Sequence, residues 1–227
     1  MDIFQRQWPM FTEVEKEQIR SMKVFVGGVG GLGTNQLIQL QRIGVKKIYF
    51  IDRDHVEASN LNRQILYGRG DIGESKVRTA KKKLEEFNLE TEIEAIEGQI
   101  TQDLEIPDDV DIVLDALDNY QARFDLEKAA WQKEKPFVHG AIRSWHGQLT
   151  SIIPGKTPRL EEILGENPDS KNEKNGTIPV FSPAVTMVAI LQVLEAVKLH
   201  LDISDNLANK LLFVDMQDYS LEKIDFN

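Results

Sequence analysis

The chain has 227 residues, and 41% of them are hydrophobic, which supplies enough apolar surface for a folded core and excludes a globally disordered protein. The formal net charge of -10 argues against a general nucleic-acid binder, because such a protein needs a basic face. The sequence contains no cysteine, so disulfides, a cysteine nucleophile and thiolate zinc sites are excluded.

Hydrophobic periodicity predicts helices and strands that alternate through most of the chain. The predicted helices span 12–21, 32–43, 74–88, 121–133 and 184–201. The predicted strands span 23–28, 47–52, 92–97, 110–116, 136–141, 147–154, 211–216 and 219–225. Thr12 and Glu15 have the spacing of a capping box, and Gly44 is typical of a helix stop. The succession predicts an α/β fold, namely a Rossmann-like, doubly wound, mostly parallel sheet with helices on both faces, extended by C-terminal antiparallel strands.

We interpret the whole chain, 1–227, as one domain with three parts. An N-terminal helical arm (1–22) precedes a core (23–146), and a crossing loop, a helix and closing strands follow (147–227). The stretch 154–183 holds five of the eight prolines, so we predict an exposed crossing loop there.

No stretch of the sequence has the pattern of a membrane protein. Residues 1–10 lack the basic segment and apolar run of a signal peptide. The apolar stretch 183–201 is too polar for a membrane span, since it contains Gln192, Glu195, Lys198 and His200. We therefore expect a cytoplasmic protein without membrane association.

A glycine-rich turn follows the first predicted strand. Gly28, Gly30 and Gly33 have the G-x-G-x-x-G spacing of the dinucleotide fingerprint, between a strand and a helix. Such glycines let the backbone approach phosphate, and the helix N-terminus offers unpaired N–H groups to an anion. Asp52 ends the next strand, where a carboxylate can hold ribose hydroxyls. The alternative is that the glycines serve packing alone, and the pattern does not choose between NAD, FAD and ATP.

A polar cluster comes shortly after this acidic residue. Arg63 suits a bidentate grip on phosphate oxygens, and Lys76 suits a point charge beside them. Asn60 and Gln64 add neutral donors. The ordinary alternatives are that Asp54 caps a turn, Arg63 pairs with a surface acid and Lys76 is one of several lysines on its helix. The cluster as a whole favours a triphosphate over a nicotinamide cofactor.

A second acidic position follows a strongly apolar strand. Asp118 and Asn119 come just after 110–116, at the carboxyl edge where parallel sheets bind ligands. A carboxylate there suits Mg²⁺, which takes one or two protein carboxylates together with phosphate oxygens and water. These features together predict a site for a nucleoside triphosphate and a metal ion.

The sequence resembles the ubiquitin-activating superfamily, and within it the bacterial ThiF/MoeB/HesA adenylyltransferases. The resemblance covers nearly the whole chain and is carried by G-V-G-G-L-G, D-R-D-H-V-E-A-S-N-L-N-R-Q, D-I-G-E-S-K and D-A-L-D-N. It implies one ThiF/MoeB-type adenylation domain whose core, 23–146, binds the nucleotide. It also implies an enzyme that uses ATP and Mg²⁺ to activate the C-terminal glycine carboxylate of a small ubiquitin-like sulfur-carrier protein ending in Gly-Gly.

The resemblance also implies roles for the residues at matching positions. The implied nucleotide-binding set is Gly28, Gly30, Gly31, Leu32, Gly33, Asp52, Asp54, Asn60, Arg63, Lys76, Asp118 and Asn119. The implied catalytic set is Arg6, Asn60, Arg63, Gln64, Lys76 and Asp118, with Asp118 also as the Mg²⁺ ligand. In homodimeric relatives an arginine matching Arg6 reaches the partner's ATP, so Arg6 is expected to act in trans. The alternative is a solvated arginine on a frayed terminus.

The sequence departs from the family pattern where many relatives bind structural zinc. The cysteine positions of their C-x-x-C pair match Arg159 and Glu162, and nothing replaces the thiolates, so we expect no zinc. The crossing loop also lacks the cysteine that some relatives link to the carrier, so the chemistry is expected to stop at the acyl-adenylate.

Several alternatives stay open at this point. The pathway is thiamine or molybdopterin synthesis, or another sulfur-carrier route. A related enzyme acting on a peptide or a tRNA nucleoside, a non-catalytic partner of the same fold and a nicotinamide oxidoreductase are the rival functions. The loop 165–179 either threads over the carrier's tail or is a plain surface loop.

Overall fold

The computed structural model of the protein describes residues 2–87, 89–165 and 179–226. Within these residues one sheet carries all the strands, which are β1 Lys23–Gly27, β2 Lys47–Asp52, β3 Glu92–Glu97, β4 Ile112–Asp115, β5 Phe137–Arg143, β6 His146–Ile152, β7 Lys210–Asp215 and β8 Ser220–Asp225. The α-helices are α1 Glu13–Ser21, α2 Gly31–Ile43, α3 Lys76–Glu86, α4 Tyr120–Gln132, α5 Leu160–Leu164 and α6 Ser182–His200.

The strand order β3-β2-β1-β4-β5-β6-β7-β8 has its reversal point between β1 and β4. The first five strands in this order pair in parallel, and β6, β7 and β8 continue the sheet antiparallel. The chain builds outward from β1 to β3 and then returns to the other side of β1, which opens a crevice at the carboxyl ends of β1 and β4. The predicted fold class is confirmed.

Helices cover both faces of the sheet because neighbouring strand residues point to opposite sides. Val24 and Val26 of β1 pack in the apolar cluster that contains residues of α2, α3 and α6. Phe25, between them, packs in the cluster that contains residues of α4 and α5. The central strands are therefore buried on both faces, as expected for parallel strands with near-continuous apolar sequence.

The N-terminal arm is attached to the core by apolar contacts. Phe4 and Trp8 are buried together with Ile19 of α1. The ring centres of Phe4 and Trp8 lie 5.4 Å apart. A side chain on Gly44 would collide with the ring of Phe4, so this glycine also provides space for the arm. The predicted capping box at the start of α1 is present, with Thr12 as N-cap.

The crossing loop contains a short helix that the sequence analysis did not predict. Helix α5 begins after Arg159, whose backbone N–H donates to the Glu162 carboxylate at 2.9 Å. The prolines around this helix predict a loop, because proline is common in loops and also occurs just before helices, so its presence does not distinguish the two. Most of the loop 165–179 lies outside the described residues, so its predicted role stays a prediction.

Helix α6 is long and apolar enough to cross a membrane by length and composition alone. Its strongly polar residues predict instead that it does not span a membrane, and its position in the fold accounts for both its apolar length and its polar residues. Its polar residues Gln192 and Glu195 are buried and hydrogen-bonded to the sheet and to the segment before β7. Helix α6 therefore packs as a core helix beside α2.

Candidate nucleotide site

A cavity of about 330 Å³ lies at the carboxyl ends of the central parallel strands. The segments that follow β1, β2, β3 and β4 all reach it, because these strands are neighbours in the sheet. Its lining residues include Gly28, Gly30, Gly31, Asp52, Asp54, Arg63, Gln64, Lys76, Gln99, Thr101, Asp118 and Asn119. The structure thus brings together most of the residues that the sequence singled out.

The glycine turn needs its glycines for geometric reasons. Gly28 has a φ of 97°, a conformation that residues with a side chain rarely adopt. A Cβ on Gly33 would stand 2.1 Å from the carbonyl oxygen of Gly28, so Gly33 lets helix and strand pack closely. A Cβ on Gly30 would meet nothing nearer than Gln64 Nε2 at 3.8 Å, which leaves open space beside the backbone.

Asp52 has a structural contact besides its predicted ribose contact. Its Oδ2 accepts a hydrogen bond from the backbone N–H of Val29 at 2.7 Å, and its Oδ1 accepts from Asp54 N at 2.9 Å. The carboxylate therefore links the end of β2 to the glycine turn. Each oxygen keeps a further lone pair that can accept from a hydroxyl.

Lys76 is set apart from the other lysines of α3 by its burial. Only 6% of its surface is exposed, and its Nζ lies 3.1 Å from Asp54 Oδ2 at the cavity wall. Lys81, on the same helix, has a side chain that is 43% exposed, and among the described residues it forms a loose pair with Glu85. A buried ammonium with a single carboxylate partner keeps two further N–H donors for a ligand anion.

Arg63 and Gln64 stand side by side but in different environments. Arg63 is partly exposed, and its Nη1 donates to the carbonyl oxygen of Ser59 at 2.9 Å and to Asn62 Oδ1 at 3.0 Å, while no contact is shown for its other guanidinium nitrogens among the described residues. Gln64 is only 4% exposed, and its Oε1 has no hydrogen-bond partner among the described residues. A buried amide without a partner is costly, which is typical of a group reserved for a ligand or water.

Asn60 is not among the residues that line the cavity. Its Oδ1 accepts from Glu57 N at 3.1 Å, and the residue is buried. Leu32 is likewise buried in the core cluster. In this structure Asn60 holds the turn that presents Arg63 and Gln64, and the predicted nucleotide contacts of Asn60 and Leu32 stay predictions.

Asp118 and Asn119 lie where the sequence analysis expected them. Asn119 is the N-cap of α4, with its Oδ1 accepting from Ala122 N at 2.9 Å. The Asp118 carboxylate is exposed to the cavity. Asn119 directly follows Asp118, so the capped start of α4 also fixes the backbone at Asp118.

The residues present fit a nucleoside triphosphate with a magnesium ion. The open space at Gly30 and the buried Lys76 suit phosphate oxygens, and the unpartnered Oε1 of Gln64 can accept from a hydroxyl or a water molecule. The described residues contain no cluster of three or more His, Cys, Asp or Glu side chains that could hold a metal ion. Mg²⁺ needs no such cluster, because it takes one or two carboxylates and completes its shell with phosphate oxygens and water. The expected absence of zinc stays a prediction.

Arg6 does not line the cavity of its own chain. It is exposed on the N-terminal arm between Phe4 and Trp8, which are both buried. Gln7, next to it, donates from Nε2 to the carbonyl oxygen of Ile43 at 2.9 Å. The arm is therefore anchored on both sides of Arg6, and the predicted action on a partner's site stays a prediction.

The sequence analysis missed two groups of residues. Gln99 and Thr101 line the cavity after β3, and the rule that ligands gather at the carboxyl ends of parallel strands would have found them. A buried polar cluster of Asp115, Arg123 and His139 lies behind the Asp118 loop. Its members are spread over 24 residues and meet only through strand pairing, so no local pattern indicates them.

Comparisons with known proteins agree on the family. The ThiF family profile matches residues 4–226. The sulfur carrier protein adenylyltransferase of Thermus thermophilus is 33% identical, over 99% of this chain and 86% of its own length. The molybdopterin-synthase adenylyltransferase of Haemophilus influenzae is 32% identical, over 88% of this chain and 83% of its own length. The solved structure of E. coli MccB with ATP has a TM-score of 0.84 at 20% identity, covering 100% of this chain and 72% of MccB, and bears on the fold alone.

Proposed function

The chain belongs to the ThiF family, and on this premise we propose that it adenylates the C-terminal glycine carboxylate of a small ubiquitin-like sulfur-carrier protein, using ATP and Mg²⁺. The observation that carries the proposal is the convergence of the glycine turn, Gln64, Lys76 and Asp118 on one cavity. An oxidoreductase has no evident use for a buried lysine and an exposed carboxylate beside the glycine turn. The enzyme is an adenylyltransferase, and its pathway is thiamine or molybdopterin synthesis or another carrier route.

The reaction needs no nucleophile from the protein. A carboxylate oxygen of the carrier attacks the α-phosphorus of ATP, a new P–O bond forms, and the bond to the β-phosphate oxygen breaks. The products are the acyl-adenylate and pyrophosphate, which leaves with the electrons of the broken bond. The contribution of the protein is to align the two substrates and to neutralise charge that develops on the leaving group.

Five side chains of the cavity have a proposed part in that task. Arg63 and Lys76 would hold the phosphates, and the Gln64 amide would contact the phosphates or the incoming carboxylate. Asp118 would hold Mg²⁺, which supplies further positive charge to the phosphate oxygens when bound. Asp52 would hold the ribose while bracing the glycine turn.

We also propose that the active form is a homodimer in which Arg6 serves the partner's site. Helix α6 exposes an apolar stripe of Met187, Ile190 and Leu194, which are 41%, 41% and 53% exposed. The same helix reaches the cavity wall, because Val185 packs against Gly31 of the glycine turn. A second copy covering the stripe would bury this apolar surface close to the nucleotide.

The absence of cysteine limits the chemistry of this chain to adenylation. A thioester or acyl-persulfide with the carrier needs a cysteine, so sulfur would come from another protein or from free sulfide. We propose that the whole chain acts as one adenylation domain in the cytoplasm, without zinc and without nucleic acid or membrane as partners.

ATP–pyrophosphate exchange with a panel of candidate substrates tests the proposal. ThiS-like and MoaD-like carriers ending in Gly-Gly are compared with the same carriers lacking the last glycine, with short peptides and with tRNA. We expect exchange only with an intact carrier. Exchange that requires a peptide or tRNA would redirect the substrate assignment, and tight NADH binding without exchange would remove the adenylation proposal altogether.

A further inference from the structure

A buried ionic cluster lies behind the loop that presents Asp118. Asp115, the last residue of β4, is fully buried, and its Oδ2 lies 2.7 Å from Arg123 Nη1 and 2.7 Å from His139 Nδ1. Burial alone raises the pKa of Asp115, but the positive charge of Arg123 and the hydrogen bond from His139 outweigh it and hold the pKa below its ordinary value. The carboxylate is therefore ionised and paired inside the fold.

Both backbone groups of Leu117 are tied to this cluster. Asp115 Oδ1 accepts from Leu117 N at 3.0 Å, and Arg123 Nη2 donates to the carbonyl oxygen of Leu117. Arg123 Nη1 also donates to the carbonyl oxygen of Gly140 at 2.7 Å, which links the loop to β5. Leu117, immediately before Asp118, is thus held through both its backbone N–H and its carbonyl oxygen.

The other neighbour of Asp118 is fixed as well. Asn119 caps α4. On the other side, two residues before Asp118, Ala116 donates from its backbone N–H to the carbonyl oxygen of Gly27 at 2.9 Å. Asp118 is exposed to the cavity, between these anchored residues. Its carboxylate accepts one long hydrogen bond, from Asn119 Nδ2 at 3.4 Å, and its backbone lies between groups that the cluster and the start of α4 hold.

His139 completes the cluster in one defined tautomer. Its ring is fully buried, with Nδ1 facing the Asp115 carboxylate and Nε2 lying 3.4 Å from Gln148 Nε2. Nδ1 also lies 3.2 Å from Arg123 Nη1, but its shorter contact is with the carboxylate, which only accepts, so we assign the proton to Nδ1 and the acceptor role to Nε2. Burial, joined by the positive charge of Arg123, lowers the pKa of His139 although the Asp115 hydrogen bond acts in the opposite direction. The imidazole is a neutral, oriented donor to Asp115.

We propose that Asp115, Arg123 and His139 are positioning residues that hold Asp118 in place for the metal–nucleotide complex, acting through Leu117. The inference rests on the proposed function, since it presupposes that Asp118 binds a metal ion. Partners behind a metal ligand typically change metal affinity by about 10- to 100-fold when they are lost. A cluster that served stability alone would leave that affinity unchanged in a folded variant.

Two substitutions of His139 separate the two roles. His139→Leu fills a similar volume without a donor, whereas His139→Asn offers an amide N–H near the place of Nδ1–H. Mn²⁺ binding is measured by electron paramagnetic resonance with a non-hydrolysable ATP analogue present, and thermal unfolding is measured in parallel. We expect His139→Leu to weaken Mn²⁺ binding about tenfold and His139→Asn to stay within about twofold of wild type.

Further variants keep the inference open to refutation. If His139→Leu does not fold, Arg123→Lys replaces it, because lysine keeps the charge but not the planar fork that reaches Asp115, Gly140 and Leu117 together. Wild-type Mn²⁺ affinity in His139→Leu, or equal weakening in His139→Asn, would overturn the positioning role. Asp118→Asn is the control for the site itself. If it binds Mn²⁺ normally, the metal assignment of the proposed function fails, and the failure is not specific to the cluster.

Discussion

Asp118 and Lys76 line the same cavity from different elements, and each has a distinct physical reason to matter. Asp118 is an exposed carboxylate on a backbone that the start of α4 holds in place. Lys76 is a nearly buried ammonium whose single carboxylate partner is Asp54. In an ATP site the first would attract a metal ion and the second would neutralise phosphate charge.

Asp118→Ala should reduce ATP–pyrophosphate exchange to background, because the alanine provides no oxygen to hold Mg²⁺ beside the phosphates. The reaction is followed with labelled pyrophosphate and saturating carrier. Asp103→Ala is the matched control, since Asp103 is an exposed aspartate outside the cavity. Normal exchange by Asp118→Ala would rule out the metal assignment.

Lys76→Ala should lower the exchange rate by roughly 10²- to 10³-fold, the usual effect of removing one preorganised charge from a transition state. Lys81→Ala is the matched control on the same helix, because the Lys81 side chain is 43% exposed and its ion pair among the described residues is with Glu85, outside the cavity. Its rate should stay within about twofold of wild type, as expected for a surface ion pair. Equal losses in both variants would indicate a general effect of helix charge and contradict a specific role for Lys76.

At the scale of elements, an ion pair joins α5 to α4. Arg159 donates from Nε and Nη2 to the buried Glu127 carboxylate of α4 at 3.1 and 2.5 Å. Its guanidinium also lies 5.1 Å from the ring centre of Trp131. Through these contacts α5 and the start of the crossing loop are attached to α4.

Arg159→Ala should destabilise the protein by about 2 kcal/mol, because it leaves the Glu127 carboxylate buried and unpaired. This figure lies below that of fully buried pairs, since the Arg159 side chain is 37% exposed. The expected fall in Tm is roughly 4–8 °C for a chain of this size. In a Glu127→Gln background the same substitution should cost clearly less, which a double-mutant cycle measures. Additive effects would mean that the two residues do not interact in solution.

The sequence predicts most elements but not the contacts between them. Strands β2 and β3 coincide with their predicted ranges because turn residues bound a clear apolar pattern. Helix α5 was missed, since its five residues are too few for a helical period. The partnership of Arg159 with Glu127 spans 32 residues, and only the packing of α5 on α4 creates it.

At the scale of the whole molecule, the sequence likewise predicts single site residues but not the contacts that support them. Family-like segments identify Gly28, Lys76 and Asp118, because phosphate and metal chemistry require particular residue types next to strand ends. The cluster around Asp115 could not be predicted in this way. Its three side chains come together through the pairing of β4 with β5 and the return of α4, which no local sequence pattern encodes.

If the protein is a homodimer in which Arg6 acts in trans, two inactive variants should restore activity when they are mixed. Arg6→Ala and Asp118→Ala should each be inactive, and mixing them should restore roughly a quarter of wild-type exchange once subunits have redistributed. Half of the dimers would then be mixed, and each would hold one intact site. Mixtures without activity, despite subunit exchange verified by mass spectrometry, would show that Arg6 does not serve a partner's site.

The central claim is that this chain transfers the adenylyl group of ATP to a carrier's C-terminal carboxylate and does nothing further. The most direct measurement uses ATP labelled at the α-phosphate, the whole protein and an intact Gly-Gly carrier, with the products separated under denaturing acidic conditions. We expect label on the carrier, none covalently attached to the enzyme, and none on a carrier that lacks its last glycine. Label on the enzyme, or an unlabelled carrier despite ATP consumption, would contradict the account.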